Sequence, residues 1–169
     1  DLWPLIKDAA AKGHALNVDA ALAKDADSDT TKGYYQWSSM AYHELATSTH
    51  ASDGPYGDWL LELADWIIDV HKIETRSKNT GYAFEGIVSA YAWAKSQRDE
   101  ERAHRYECVI HASLAKLMSW QVGHPRFVGA KPGNEAALGG VQNGADDPAL
   151  RIDVTQHQMH ATMMAWQNL

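Results

Sequence analysis

The last predicted helix carries three side chains that can exchange protons or bind a metal. Asp153, His157 and His160 follow at intervals of four and three residues, so they project from one helical face. Histidine titrates near neutral pH and can act as an acid, a base or a metal ligand. Arg151 begins this helix and Gln156 borders the cluster. The spacing therefore predicts a polar site on this face.

Three interpretations of this face stay open at the level of sequence. Asp153 could be a first-turn acid that the helix dipole favours, with both histidines at the surface or hydrogen-bonded in the core. The face could instead be a metal-free acid–base site. Two imidazoles and a carboxylate also match a common metal shell, but ligands on successive turns of one helix converge poorly on one ion. We therefore predict neither a metal nor a cofactor.

An apolar stripe on the same helix favours a free polar face. It lies roughly a quarter-turn away and consists of Ile152, Met159, Met163 and Trp166. One such stripe is enough to pack a helix against a core. We therefore expect this stripe to be buried and the Asp153–His160 face to line a cleft.

A second polar face belongs to the helix predicted over 81–96. Glu85 is the only charged residue from Gly81 to Ala94, and it shares a helical face with Tyr82 and Trp93. A carboxylate in such a stretch must be paired, exposed in a cleft or shifted in pKa. The alternatives to a functional role are a buried glutamate that a neighbouring helix satisfies, or a first-turn acid that the helix dipole favours.

The candidate site residues fall into two roles. The candidate proton-transfer residues are Glu85, Asp153, His157 and Tyr82. The candidate substrate-binding residues are His160, Arg151, Trp93, Tyr35 and Gln156. Tyr35 lies on an earlier helix, in a stripe with Ser39 and Tyr42 that is more typical of packing.

Helical periodicity runs through nearly the whole chain. Leu60, Leu63, Ile67 and Val70, for example, recur at three- and four-residue steps. Helices are predicted over 2–12, 18–24, 34–47, 56–71, 81–96, 100–122 and 152–168. A loop over 123–148, rich in glycine and proline, could hold a short strand pair at 126–128 and 140–142. No β-rich segment competes, so we predict an all-α fold.

Composition limits the class of protein. The chain has 169 residues, 45% of them hydrophobic and 22% charged, which fits one helical domain over 1–169, or the C-terminal part of a longer chain. A net charge of −7 disfavours binding to nucleic acid. No apolar run approaches the ~20 residues of a membrane span. The single cysteine, Cys108, has no internal disulfide partner and is predicted to be a small core residue.

The layout of the helices resembles the α/α-toroid (six-hairpin glycosidase-like) proteins. Their unit of inner helix, short turn and outer helix is similar to the segment Thr80-Gly81-Tyr82-Ala83-Phe84-Glu85-Gly86 through Ala90-Tyr91, with the following Arg-Asp-Glu-Glu-Arg turn. The end of helical domains in bacterial proteins of this kind resembles Gly139-Gly140-Val141-Gln142, then Asp147-Pro148, Arg151-Ile152-Asp153 and Gln156-His157.

The resemblance implies antiparallel αα-hairpins in two layers with a concave end. Many such proteins are glycoside hydrolases, polysaccharide lyases or sugar epimerases, so it implies a carbohydrate-active domain that binds a glycan or other small polar ligand. A full toroid needs about twice as many helices as this chain supplies, so the resemblance implies an incomplete toroid. The alternative is a non-catalytic helical scaffold or accessory module of a larger protein.

These two hypotheses predict different geometry. An enzyme predicts that Glu85, Asp153 and His157 converge in one water-accessible pocket with the glycine-rich loop at its rim. Hydrolysis would require two carboxylates facing each other about 5–9.5 Å apart, whereas Tyr82 and His157 would serve a lyase or epimerase better. A scaffold predicts scattered or internally paired groups.

Overall fold

Helices account for nearly all regular structure in the chain, which a computed structural model describes over residues 2–78, 80–131 and 133–169. Within those ranges the backbone forms isolated β-bridges but no strand, so the predicted all-α class is confirmed. The chain divides into two compact units, Asp1–His71 and Lys72–Leu169. In the described part of the chain, no helix is both long and apolar enough to span a bilayer.

The first unit is built on two long helices that pack against each other, α3 (Asp29–Thr47) and α4 (Tyr56–Asp69). The helix α3 begins where the Ser28 hydroxyl accepts a hydrogen bond from the backbone N–H of Thr31. The first helix, α1, continues without a break through a π-helical turn into a short helix, α2. The elements are α1 (Trp3–His14), the π turn (Ala15–Asp19), α2 (Ala20–Leu22), α3 (Asp29–Thr47) and α4 (Tyr56–Asp69).

The core of this unit follows the predicted stripe of α4 for three of its four positions. Leu60, Leu63 and Ile67 are fully buried, whereas Val70 is 41% exposed. Val70 departs because α4 ends at Asp69, one residue earlier, so the helical periodicity no longer applies to it.

The second unit has a central helix. Its elements are α5 (Gly81–Gln97), α6 (Glu100–Trp120) and α7 (Ile152–Asn168), and α5 packs against both of the others. Every residue from Gly81 to Tyr91 is buried. A helix that is buried on all sides must satisfy its polar side chains inside the protein, because water does not reach them.

The outer face of α6 holds the one cysteine. The apolar stripe expected on this helix is Ala103, Tyr106, Ile110, Leu114 and Leu117. All of it is buried except Leu114, which is half-buried, whereas Cys108 is exposed. The prediction that Cys108 is a core residue is therefore wrong, because the stripe of α6 already fills the face that meets α5.

The glycine-rich segment folds against the end of α6 instead of forming the predicted strand pair. The N–H of Val122 donates to the carbonyl of Gly140, and the N–H of Val128 donates to the carbonyl of Ser119. A single bridge joins Gln121 to Val141. The backbone groups that the strand pair would have used are thus paired with the end of α6 and with the two residues that follow it.

Two glycines in helices, Gly33 and Gly81, provide a matched pair for testing how closely α5 packs against α7. An added Cβ at Gly33, exposed in α3, meets nothing within 4 Å, whereas at Gly81 it would lie 2.8 Å from the backbone nitrogen of Gln158 in α7. We expect Gly33→Ala to stabilise its unit by about 1 kcal/mol, since alanine favours a helix interior. Gly81→Ala should destabilise its unit by about 1–3 kcal/mol through overpacking. Urea denaturation measures both, and a Gly81→Ala variant as stable as the wild type would contradict the close approach of α5 to α7.

Candidate acid–base site

Glu85 lies buried between α5 and α7 and binds two histidines of α7. Its side chain is 2% exposed. Glu85 Oε2 lies 2.9 Å from His157 Nδ1, and Oε1 lies 2.8 Å from His160 Nδ1. Both carboxylate oxygens therefore have an imidazole partner, and this set of three side chains is called the Glu85 cluster below.

The carboxylate determines the tautomer of both rings. An ionised carboxylate has only acceptors, so each imidazole carries its hydrogen-bonding proton on Nδ1 and donates it to Glu85. The His157 side chain is 8% exposed, whereas the His160 side chain is 48% exposed. A solvent-borne molecule can therefore reach His160, whose Nε2 is the nitrogen opposite the one that Glu85 binds.

The local sequence explains why the three groups meet. A spacing of three residues puts His157 and His160 on adjacent turns of α7, one for each oxygen of the carboxylate. Gly81 at the start of α5 lets the backbone of α7 approach closely at Gln158. The buried Ser89 hydroxyl donates a hydrogen bond to the backbone carbonyl of Glu85 within α5. Ser89 is thus satisfied without a bond to the Glu85 carboxylate.

Asp153 does not join the Glu85 cluster, contrary to the expectation that it converges with Glu85 and His157. Its side chain is exposed and forms a two-point ion pair with Arg151, with Arg151 Nη2 2.5 Å from Oδ2 and Nε 3.1 Å from Oδ1. The hydrogen bond from Arg151 lowers the pKa of the Asp153 carboxyl. Asp153 fails to converge because its side of the first turn of α7 faces solvent, where Arg151, the residue before the helix, supplies a counter-charge.

The face of α7 that packs is the opposite of the one predicted. Val154, His157, Ala161 and Ala165 are buried, whereas the apolar stripe is exposed by 88% at Ile152, 60% at Met159, 52% at Met163 and 88% at Trp166. The expectation that this stripe packs the helix is wrong. Small side chains and the Glu85 hydrogen bonds hold α7 against α5 instead.

The remaining predicted residues lie in several environments. Tyr82 is buried one turn before Glu85 on α5, Trp93 is half-buried near the end of α5, and Gln156 is exposed on α7. Tyr35 is fully buried in the first unit, where its ring is part of the core. Of the predicted residues, the structure thus brings together Glu85, His157 and His160. These groups are paired inside the protein and Asp153 lies apart from them, which is the geometry expected of the scaffold hypothesis and not the convergence expected of the enzyme hypothesis.

Two buried glutamines that sequence reasoning missed link the glycine-rich loop to α7. Gln158 Nε2 donates to the Gln142 carbonyl at 3.4 Å, and Gln142 Nε2 donates to the Ala130 carbonyl at 2.6 Å. Gln142 is fully buried and Gln158 is 2% exposed. One feature of the sequence could have pointed to Gln158, because it directly follows the candidate residue His157.

Replacing Glu85 should loosen both helices that it joins. Glutamine keeps the volume of Glu85 but has one acceptor oxygen and no charge, so Glu85→Gln weakens both charge-assisted hydrogen bonds of the cluster. We expect a loss of about 1.5–3 kcal/mol, or roughly 10- to 100-fold faster amide hydrogen exchange in α5 and α7. Mass spectrometry of the exchanged peptides measures this. The exposed variant Asp153→Asn is the control and should leave exchange in α5 unchanged; equal protection in Glu85→Gln and wild type would refute the buried pairing.

Comparison with protein-family models, with curated proteins and with solved structures finds no match to the chain. The proposals for its function therefore rest on the geometry of the Glu85 cluster and on the sequence resemblance to α/α-toroid proteins.

Proposed function

We propose that the chain is the acid–base domain of a carbohydrate-active enzyme, with His160 as the residue that exchanges a proton with the substrate. The supporting observation is the hydrogen bond from His160 Nδ1 to the buried Glu85, on a ring that is half exposed. A buried carboxylate that binds Nδ1–H orients the imidazole and fixes its tautomer, so that Nε2 is the nitrogen that can accept a proton.

Each residue of the Glu85 cluster has a separate role in this proposal. His160 abstracts or returns a proton at its Nε2. Glu85 is a positioning residue, because both of its oxygens are already bound by imidazoles and its side chain is shielded from solvent. His157 is buried and bears on catalysis through Glu85, since it fixes the second carboxylate oxygen.

The geometry favours proton abstraction over glycoside hydrolysis. Hydrolysis by the usual route needs two carboxyl groups that both reach the substrate. Glu85 is buried, and Asp153 is exposed and paired with Arg151. An imidazole base suits those lyases and epimerases whose first step removes a proton from carbon next to a carboxylate. The substrate class that fits is therefore a glycan that contains uronic acid.

The helical arrangement of α/α-toroid proteins also fits the second unit. We propose that α5 is an inner helix and α6 its outer partner in an incomplete α/α-toroid of hairpins in two layers. Support comes from the burial of α5 on all sides over Gly81–Tyr91 and from its packing against α6.

A second candidate function is that of a non-catalytic interaction module. The exposed stripe of α7 is the observation that favours it, because large apolar side chains in a row on a surface often mark a protein–protein contact. A groove of about 490 Å³ between α6 and α7 adjoins this stripe and is lined by Leu114, Leu117, Met118, Met159 and Met163 among others. In this case the Glu85 cluster only joins two helices.

Deuterium incorporation distinguishes the two functions. The purified chain is incubated in D₂O with a panel of polysaccharides that contain uronic acid, and with neutral polysaccharides as controls. The enzyme proposal predicts deuterium at the carbon next to the carboxylate, or an unsaturated product. His160→Ala should lower the rate by about 10²–10⁴-fold, with partial recovery when free imidazole is added.

The matched control for this experiment is His111→Ala, since His111 is an exposed histidine on α6. It should react at the wild-type rate. Absence of exchange with every polysaccharide, or equal rates in His160→Ala and wild type, would reject the proposed base and leave the interaction module as the better account.

A further inference from the structure

A second cluster of ionisable side chains lies in the first unit, outside the proposed acid–base site. His14 Nε2 lies 3.7 Å from Asp19 Oδ1 and 3.5 Å from Glu62 Oε2. One ligand atom from each of the three side chains lies within 4.8 Å of the other two. His14 is 3% exposed, whereas the side chains of Asp19 and Glu62 are 65% and 51% exposed. The buried imidazole thus meets two carboxylates at the protein surface.

The π turn brings His14 and Asp19 together. These residues are five apart, and in an α-helix a separation of five residues places side chains on different faces. In the π turn Ala15–Asp19 the N–H of Ala20 donates to the carbonyl of Ala15, five residues back. The wider turn aligns positions five apart, so Asp19 lies on the same face as His14. π turns inside α-helices often occur at functional sites.

The distances from His14 to the two carboxylates suit ligands of one metal ion better than hydrogen bonds. N–H···O hydrogen bonds span about 2.7–3.2 Å, so 3.5 and 3.7 Å are too long. Donor atoms around a tetrahedral Zn²⁺, at bond lengths of about 2.0–2.2 Å, lie about 3.3–3.6 Å from one another. Small movements of the two exposed carboxylates would complete such a shell.

Neighbouring aromatic side chains fix the His14 ring. His14 Nδ1 lies 3.3 Å from the Tyr42 hydroxyl, which in turn lies 2.8 Å from the Tyr34 hydroxyl. Trp59 stacks on the ring at 4.3 Å between centroids. When Nδ1 donates to Tyr42, the lone pair of Nε2 points toward the carboxylates. A metal-binding histidine commonly donates its other ring N–H in this way.

The electrostatics of the cluster favour a cation. Burial lowers the pKa of His14 below its usual range, although the charge of Asp19 acts in the opposite direction. Burial, together with the charge of Asp19, raises the pKa of the Glu62 carboxyl. Among the residues that the structure describes, no lysine or arginine forms an ion pair with Asp19 or Glu62. The two carboxylates therefore meet the imidazole without a lysine or arginine partner.

We infer that His14, Asp19 and Glu62 bind one divalent transition-metal ion of the Zn²⁺ type, with water in the coordination positions that face solvent. An imidazole nitrogen disfavours Mg²⁺ and Ca²⁺, which prefer oxygen ligands throughout. This inference does not depend on the proposed acid–base function, because the two sites share no residue. It also revises the prediction from sequence that the chain has no metal site.

Isothermal titration of the chelator-treated full chain with Zn²⁺ tests the inference, with Mg²⁺ as the contrasting ion. The chain has nine histidines, so the decisive result is a difference between variants. Asp19→Asn and Glu62→Gln keep the shape of exposed side chains, and we expect each to lose one Zn²⁺ equivalent or weaken it at least about 10-fold, as removing a metal ligand or its support does. Far-UV circular dichroism checks that both variants remain folded.

The control variants are Glu44→Gln, an exposed glutamate on α3, and His160→Ala, which belongs to the other site. Both should keep the Zn²⁺ equivalent, and Mg²⁺ should not compete for it. Failure of the wild type to bind Zn²⁺, or equal binding by wild type, Asp19→Asn and Glu62→Gln, would overturn the inference. Loss of the equivalent only in His160→Ala would also overturn it.

Discussion

A carboxylate that leaves water and enters the contact between two helices needs a hydrogen-bond donor for each of its oxygens, because an unpaired buried charge costs several kcal/mol or more. Glu85 meets this requirement with His157 and His160. The central helix α5 offers no other charged residue over its buried length, so the donors have to come from a neighbouring helix. The rotation of α7 about its own axis follows from this one requirement.

That rotation has a cost on the other side of α7. Turning the histidines toward Glu85 leaves Ile152, Met159 and Trp166 at the surface. Their exposed apolar area is unfavourable in water. The small residues Ala161 and Ala165, which are buried instead, contribute less hydrophobic stabilisation than burial of the larger apolar side chains would contribute. The hydrogen bonds of the Glu85 cluster therefore determine an orientation that apolar burial alone would not select. Both candidate functions use this orientation, one through the half-exposed His160 and the other through the exposed stripe.

The sequence predicted the elements better than the faces they present. The bounds of α5 and α7 and the importance of the lone acid Glu85 follow from periodicity and from the absence of neighbouring charges. The position of Asp153 was missed because spacing along one helix does not show which turns the rest of the protein covers. The pairing of His14 with Asp19 could not be predicted from α-helical periodicity, because only the π turn places residues five apart on one face. Glu62 comes from a different helix, and no spacing rule connects it to either residue.

The protonation of the two α7 imidazoles tests the central claim most directly. A long-range ¹H–¹⁵N correlation spectrum reports which ring nitrogen of each histidine carries the proton. The structure predicts that His157 and His160 are both protonated at Nδ1, and that these two Nδ1 resonances move when Glu85 is replaced by glutamine. Protonation of either ring at Nε2 alone, or Nδ1 resonances that do not respond to the replacement, would show that the buried carboxylate does not orient α7.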